Sequence, residues 1–222
     1  MTNMLYDLHT HTFLSDGELS PIELIRRAAV AGYTAIALTD HAGPGTMERC
    51  LAAVARDCEL ARQHWPIIAL PGIELTHCPP ESIPALARQA REARARVVVV
   101  HGETIVEPVP PGTNLAAACP EVDLLAHPGL LSHEAAEKLA ASNVLVEITS
   151  RRGHSLTNGL VAVVARQAGC KMVVNSDTHS PSDLLSPEFA RRVAAGAGLS
   201  AEEQERALKA NPEALLARLG LT

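Results

Sequence analysis

Aromatic side chains are almost absent from this chain: two Phe, two Tyr and one Trp among 222 residues. A core without large rings must be filled by Ala, Val, Leu and Ile, which favours helices layered on a sheet, where small and branched side chains pack closely. The scarcity of rings, together with a net charge of -6, leaves neither the stacking platforms nor the basic track of a protein that grips nucleic acid broadly. A local positive site is not excluded, because bound metal ions do not enter a formal charge count. No C-x-x-C pair occurs among the five cysteines (Cys50, Cys58, Cys78, Cys119, Cys170), an odd set that fits buried thiols in a reducing cytosol. No window approaches the roughly 18 apolar residues of a membrane span, and Met1 to Tyr6 lacks the basic and apolar regions of a secretory leader. A cytoplasmic protein without membrane contact is therefore expected. Linkers, low-complexity tracts and charge blocks are also missing, so the composition, 47% hydrophobic and 20% charged, predicts one folded domain.

What the chain does have is a repeated alternation of strand and helix. Short apolar runs of strand type occur at Met4–Leu8, Ala35–Leu38, Ile67–Leu70, Val97–Val100, Val122–Ala126, Val144–Ile148 and Met172–Val174. Helical spacing fills the intervals at Glu18–Ala31, Thr46–His64, Ile83–Ala95, Ser132–Ser142 and Ser155–Ala168. Ser20-Pro21 suits a helix start, while Gly32, Asn143 and Gly169 stand where a helix C-terminus wants a left-handed residue. From Leu199, with Ser200 ahead of Glu202 and Glu203, one or two capping helices are expected. Alternation of this kind predicts a parallel α/β sheet flanked by helices. Seven runs suffice to close a barrel, and an open doubly wound sheet satisfies the same pattern.

Nearly every strand-like run ends in a residue type that binds metal. In order the ends read Asp7-Leu8-His9-Thr10-His11 followed by Asp16, Thr39-Asp40-His41, Gly72-Ile73-Glu74, His101-Gly102-Glu103, His127-Pro128-Gly129 and Ser176-Asp177-Thr178-His179. All strand C-termini of a parallel fold point to one rim, where active sites are built. A lone histidine after a strand is usually a capping or core residue. Six histidines and three carboxylates at the same structural position are not explained by capping. His9 and His11, two apart on a strand, share a face and can grip one ion together.

Taken in sequence order, these motifs resemble those of the PHP (polymerase and histidinol phosphatase) family, from about Tyr6 to Pro187. The resemblance implies a single PHP domain over residues 1–222, capped at about 199–222, with a distorted seven-stranded (β/α) TIM-like barrel and two to three divalent metals, Zn, Mn or Fe. Carried over by motif, His9, His11, Glu74 and Asp177 would hold one ion. Glu74 would bridge to a second held with His101 and His127, and Asp16, His41 and His179 would hold a third. Some relatives have histidine at the position of Asp16. The implied activity is that of a phosphoesterase hydrolysing a small phosphomonoester, histidinol phosphate-like or nucleotide-like, by attack of a metal-bridging hydroxide. Three divalent ions set against three carboxylates and one hydroxide leave a positive deficit that a phosphomonoester dianion matches. Two alternatives stand beside it: a nuclease or phosphodiesterase acting on nucleic acid or on cyclic or bis-phosphate nucleotides, and a non-catalytic metal-binding module.

The sixth run ends Thr149-Ser150-Arg151-Arg152-Gly153-His154, with arginine in place of a ligand. Arg151 or Arg152 is expected to face the site as a phosphate clamp, and His154 to serve as phosphate donor or general acid. Asp7 and Asp40 would orient neighbouring ligands or satisfy loop amides. Glu103 would recognise a substrate amine or stand solvated, and His77 is carried away from Glu74 if the Pro79-Pro80 turn directs it outward. His64 and His133 read as structural or surface residues, and Glu107–Thr113 as a stiff Pro-rich loop beside the pocket.

Overall fold

The computed structural model describes residues 4–221. The first three residues and Thr222, the two ends of the expected domain, lie outside the described residues. Seven principal strands, all parallel, run in spatial order: β1 (Tyr6–Thr10), β2 (Ala35–Leu38), β4 (Ile68–Leu75), β5 (Val97–His101), β6 (Leu124–Ala126), β7 (Leu145–Thr149) and β8 (Met172–Asn175). A two-residue strand, β3 (His41–Ala42), pairs with β4. The ends meet where Thr10 bridges Thr178: His11 N donates to Thr178 O at 2.8 Å and Asp177 N to His9 O at 3.0 Å. The sheet is thus a nearly closed α/β barrel, and the seam where it closes carries metal-type residues from both sides.

Helices α1 (Pro21–Val30), α2 (Met47–His64), α3 (Ile83–Glu92), α4 (Thr113–Ala116), α5 (His133–Ala141), α6 (Asn158–Ala168) and α7 (Pro187–Gly196) follow the strands in turn. Ser20 caps α1 by accepting from Glu23 N, with Pro21 at the first helical position. Gly32, Asn143 and Gly169 adopt φ of 82°, 55° and 76°, the left-handed geometry their positions predicted. Ser200 and Glu203 form a reciprocal capping box at the head of α8 (Ala201–Glu205).

Most strand ends shift by one or two residues from the sequence expectation, and two strands differ in ways that bear on the site. The first strand starts at Tyr6 rather than Met4 and runs to Thr10, so His9 belongs to it. The third continues from Leu70 to Leu75 through Pro71-Gly72. Proline and glycine there mark a change of partner rather than an end: Leu38 pairs with Pro71 on one side, and Gly72 with Val97 on the other. A Cβ on Gly72 would lie 2.7 Å from Thr39 Cγ2 and 2.9 Å from Val97 O, so only glycine admits this approach. α7, which buries Ala190 and Ala194 on one face, lies outside the helical intervals expected from the sequence, and β3 is too short to show a period.

The strands are buried on both faces, which is why they read as continuous apolar runs rather than alternating ones. Side chains pointing inward (Leu8, Ala37, Leu70, Val97, Val99, Leu124, Val173) pack with Leu215 and Leu216 of α9 (Asn211–Arg218), which closes the N-terminal end of the barrel. Tyr6 Oη donates to Glu213 Oε1 at 2.9 Å and fixes that plug. At the same end, buried Asp123 accepts from Arg91 Nη2 at 2.5 Å, Arg218 Nη2 at 2.7 Å and Val98 N at 2.9 Å. Facing outward, the strands pack on the helices in a larger apolar layer that takes in all five cysteines, each a free buried thiol. Among the described residues no helix is long and apolar enough to cross a membrane.

Candidate metal centre

His9 and His11 extend from the end of β1 toward the barrel axis, where both rings are buried. His9 Nδ1 donates to Glu147 Oε1 at 2.9 Å, so the ring turns Nε2 toward Glu74 Oε1 at 3.2 Å and His11 Nε2 at 3.0 Å. Glu147 also accepts from Asn175 Nδ2 and from His127 N, each at 2.9 Å. A carboxylate behind a histidine in this way fixes the tautomer and leaves the far nitrogen free for a cation. The sequence reading missed Glu147. Its signal was an acidic residue inside the apolar run Leu145-Val146-Glu147-Ile148, a position that burial on both strand faces permits only to a paired charge.

The remaining expected ligands converge on the same point. His11 Nε2 lies 3.1 Å from Asp177 Oδ1, and His127 Nε2 lies 3.8 Å from Glu74 Oε1 and 3.7 Å from Asp177 Oδ2. Glu74, His101 and His127 make one group, and His11, Asp16, His41 and His179 another, each with its ligand atoms within 4.8 Å of one another. All nine expected ligands therefore gather at the rim. The difference is that His11 also leans into the third group, while His127 joins His9 and Asp177. Asp16 rides on the loop after β1, which Asp40 holds by accepting from Thr12 N, Thr12 Oγ1 and Ser15 Oγ at 2.7–2.8 Å. A Cβ on Gly17 would come within 2.5 Å of His11 O, which explains the glycine after Asp16. Asp40 thus satisfies loop groups rather than a ligand ring, and Asp7 accepts from Ser176 N at 3.2 Å in the same role.

Whether these residues suit divalent ions is tested by the atoms they leave unpaired. Glu74 Oε1, Asp177 Oδ1, His11 Nδ1 and His127 Nδ1 are buried without hydrogen-bond partners. A buried carboxylate oxygen left so costs several kcal/mol, on the order of 1–3 even for a neutral group, unless a cation takes the place of solvent. The spacing of about 3–4 Å between neighbouring ligand atoms is that of edges around a metal bound at about 2.0–2.2 Å. The donor set fits. The charges of the set also lean on one another. Burial works to raise Glu74, but protonated His9, His41 and His101 outweigh it and hold its carboxyl well below the usual range. Burial opposes the charging of His41 too, yet Glu74 lifts it to about 9. Burial, and then the neighbouring charge of His41, hold His11 far below an ordinary histidine.

Outside the ligands, Arg151 stands at the edge: its Nε lies 4.0 Å from Asp177 Oδ2 and its Nη1 donates to Asp183 Oδ2 at 3.2 Å. Arg152 is exposed and pairs with none of the cluster's carboxylates among the described residues. His154 is buried, stacks on His127 with ring centroids 4.3 Å apart and bonds Thr104 Oγ1 through Nδ1 at 2.7 Å. Glu103 accepts from Gly112 N and Asn114 N, anchoring the Pro-rich loop; it is tied to backbone instead of standing free for an amine. His77 is not carried away: Glu107, which the sequence reading placed only in a stiff wall, joins it to His101 and His154.

A profile of the PHP domain matches residues 7–105. An uncharacterized protein of Methanocaldococcus jannaschii is 50% identical over 218 residues, 97% of this chain and 100% of that protein. Ribonuclease P protein component 3 of Methanosarcina barkeri is 27% identical over 229 residues, covering 96% and 89%. In fold, the chain is similar to histidinol phosphate phosphatase of Lactococcus lactis, solved with zinc, L-histidinol and phosphate, at a TM-score of 0.63, 16% identity, and coverage of 89% and 95%. With the ligand motifs in order at the C-terminal rim of a seven-stranded barrel, and the domain profile matched over the strands that carry the first of them, the chain belongs to the PHP domain family.

Proposed function

We propose that the protein is a metal-dependent phosphoesterase that hydrolyses a small phosphomonoester. The observation that carries this reading is the gathering of six imidazoles and three carboxylates at one rim, with Arg151 beside Asp177 as the neighbouring organic cation. Two or three ions of Zn, Mn or Fe suit the mixed imidazole and carboxylate set, and when bound they would supply an activated water and charge neutralisation at the phosphate.

The chain's own side chains provide binding, orientation and the proton. Asp183 holds Arg151 by one arm of its guanidinium, leaving the rest of the planar fork to engage phosphate oxygens. Thr104 fixes the ring of His154 through Nδ1, and Nε2, 3.4 Å from Glu107 Oε1, would be the donor of a proton to the departing alkoxide. Glu147 keeps His9 in register, and Glu74, which belongs to two of the ligand groups, would be the carboxylate shared between two ions while Asp177 would serve one. Phe13, Ile105, Val106, Leu130 and Leu156 are exposed on loops following strands at this same rim, which supports a leaving group with an apolar or ring part, as in a histidinol phosphate-like or nucleotide-like ester. The reading takes residues 1–222 as one domain in a reducing cytoplasm, supported by five buried free thiols.

Cleavage of nucleic acid is the second reading, favoured by the full-length similarity to a ribonuclease P component. The net charge of -6 and the scarcity of aromatics weigh against it. Inorganic phosphate release by protein loaded with Mn or Zn, against a panel of phosphomonoesters including histidinol phosphate and nucleotides, tests the proposal. Metal-dependent release that is lost in Asp177→Asn is the expected result; asparagine suits the left-handed backbone at this position, φ 54°. Release from no monoester, with cleavage of an RNA oligonucleotide instead, would establish the second reading.

A further inference from the structure

Beside the buried cluster lies a second convergence that the three expected ligand sets do not use. Glu107 Oε2 lies 3.3 Å from His77 Nε2 and 3.1 Å from His101 Nε2. Ligands about 2.0–2.2 Å from a tetrahedral ion stand roughly 3.3 Å apart, so both contacts have the length of coordination edges around one metal. The ligand atoms of the three residues lie within 4.8 Å of one another. His101 Nδ1 donates to Gly102 O at 3.2 Å, which leaves Nε2 as its single free nitrogen. His101 thus belongs to two groups, an inner one with Glu74 and His127 and an outer one with His77 and Glu107, and it can serve one ion at a time.

The two groups differ in access to solvent. The side chains of Glu74, His127 and His101 are 0–2% exposed, those of His77 and Glu107 39% and 36%. The backbone under the outer group is committed to it. His77 holds φ at 53°, a left-handed conformation that is strained for a non-glycine residue. The Glu107 loop is pinned at its far end, where Glu103 accepts from Gly112 N and Asn114 N, and Asn114 Nδ2 donates to Pro128 O, next to His127, at 2.7 Å. Outer carboxylate and inner ligand are therefore held on one framework.

We propose that His77, His101 and Glu107 form an outer metal position through which a divalent cation of the zinc type enters the buried cluster. The ion lands on the solvent-facing histidine and carboxylate, then exchanges them for Glu74 and His127 while His101 stays bound. Like is replaced by like, one imidazole and one carboxylate in each set, so the ion is never stripped of protein ligands on its way into a dry site. The inference rests on the metal-centre reading above and concerns how the centre fills, not what it hydrolyses.

The test is a stopped-flow measurement of zinc uptake by metal-free protein from a chromophoric chelator, with the final metal content determined by mass spectrometry. Wild type is compared with His77→Gln, Glu107→Gln and, as a control remote from the site, His64→Gln. The expected result is uptake slowed at least about tenfold in the first two variants alone, with the same number of ions bound at the end. Wild-type rates in both variants overturn the proposal. So does the loss of one ion at equilibrium, which would make the outer residues a resident site instead of an entrance. Slowing in the control as well overturns it too. A wild-type protein that takes up no zinc would remove the metal centre itself, a failure distinguishable from all of these.

Discussion

Stripping the metals should lower the melting temperature by an amount that depends on pH, and His41 sets the sign. Without metal its imidazolium is held by Glu74 Oε2 at 2.6 Å, and its pKa stands at about 9 against the ordinary 6.5. The folded state therefore binds a proton that the unfolded state has released between those values. That contribution to stability is fully present below about pH 6.5 and is lost as pH rises through 9. At about 1.36 kcal/mol per pKa unit it amounts to about 3 kcal/mol for the metal-free protein. A metal ligand must be deprotonated, so in the loaded protein the same proton works against binding and the dependence reverses. One ion present at a hundred times its dissociation constant stabilises by about 2.7 kcal/mol, or about 5–11 °C for a chain of this size. The gap between loaded and chelator-treated melting curves should widen by about 3 kcal/mol from pH 6 to pH 9. Differential scanning calorimetry with and without Mn or Zn across that range measures it directly. A gap that stays constant, or narrows as pH rises, would refute the assignment of His41 as a ligand held protonated by Glu74 in the free protein.

Other perturbations separate the parts of the site. Glu147→Gln, which removes the charge behind His9 at nearly constant volume, should weaken metal affinity about 10–100-fold while leaving the fold intact, as read by metal titration and circular dichroism. Arg151→Ala should reduce kcat/KM by about a hundredfold if its fork binds phosphate, whereas Arg152→Ala should change it less than about twofold; equal effects of the two would refute the assignment. Asp123→Ala leaves buried Val98 N without its acceptor and removes the partner of the part-exposed Arg91 and Arg218, and should cost about 1–3 kcal/mol in chemical denaturation without altering metal content.

Much of the barrel was legible in the sequence because its strands are buried on both faces. A run such as Val97–Val100 has no polar alternation to confuse it, and a ligand-type residue ends it abruptly. The helix ends were legible for a different reason: Ser20, Gly32, Asn143 and Gly169 supply caps and left-handed turns that few other residues supply. β4 was read short because Pro71-Gly72 ordinarily terminates a strand, and only the handover from β2 to β5 explains the pair. The nine residues that gather at the rim were readable through their common place at or just after strand ends. Glu147 and Glu107 were not, because one sits in the middle of a strand and the other on a loop, where spacing carries no information about what a side chain will meet. Closure of the barrel followed from the resemblance of the motifs and not from periodicity, since it depends on Thr10 and Thr178 meeting across most of the chain.

The places where the backbone breaks its usual rules separate scaffold from site. Among the described residues five non-glycine positions have positive φ: His77, Arg94, His127, Asn143 and Asp177. Arg94 and Asn143 follow helix ends at α3 and α5, where a left-handed residue closes the last turn and the conformation is ordinary. The other three end no helix, and each carries a side chain into the metal groups. Each costs about 1–3 kcal/mol that packing alone has no reason to bear. At Asp177 the hydrogen bond from its own N to His9 O locks the turn at the seam of the barrel, so the strain is fixed where β1 and β8 deliver opposite halves of one ligand set. Buried carboxylate oxygens of Glu74 and Asp177 that lack hydrogen-bond partners add a second cost at the same point. Strain and orphaned polar atoms that coincide at one end of an otherwise well-packed barrel are what a scaffold looks like when it is built around cations, because only their binding energy offsets both.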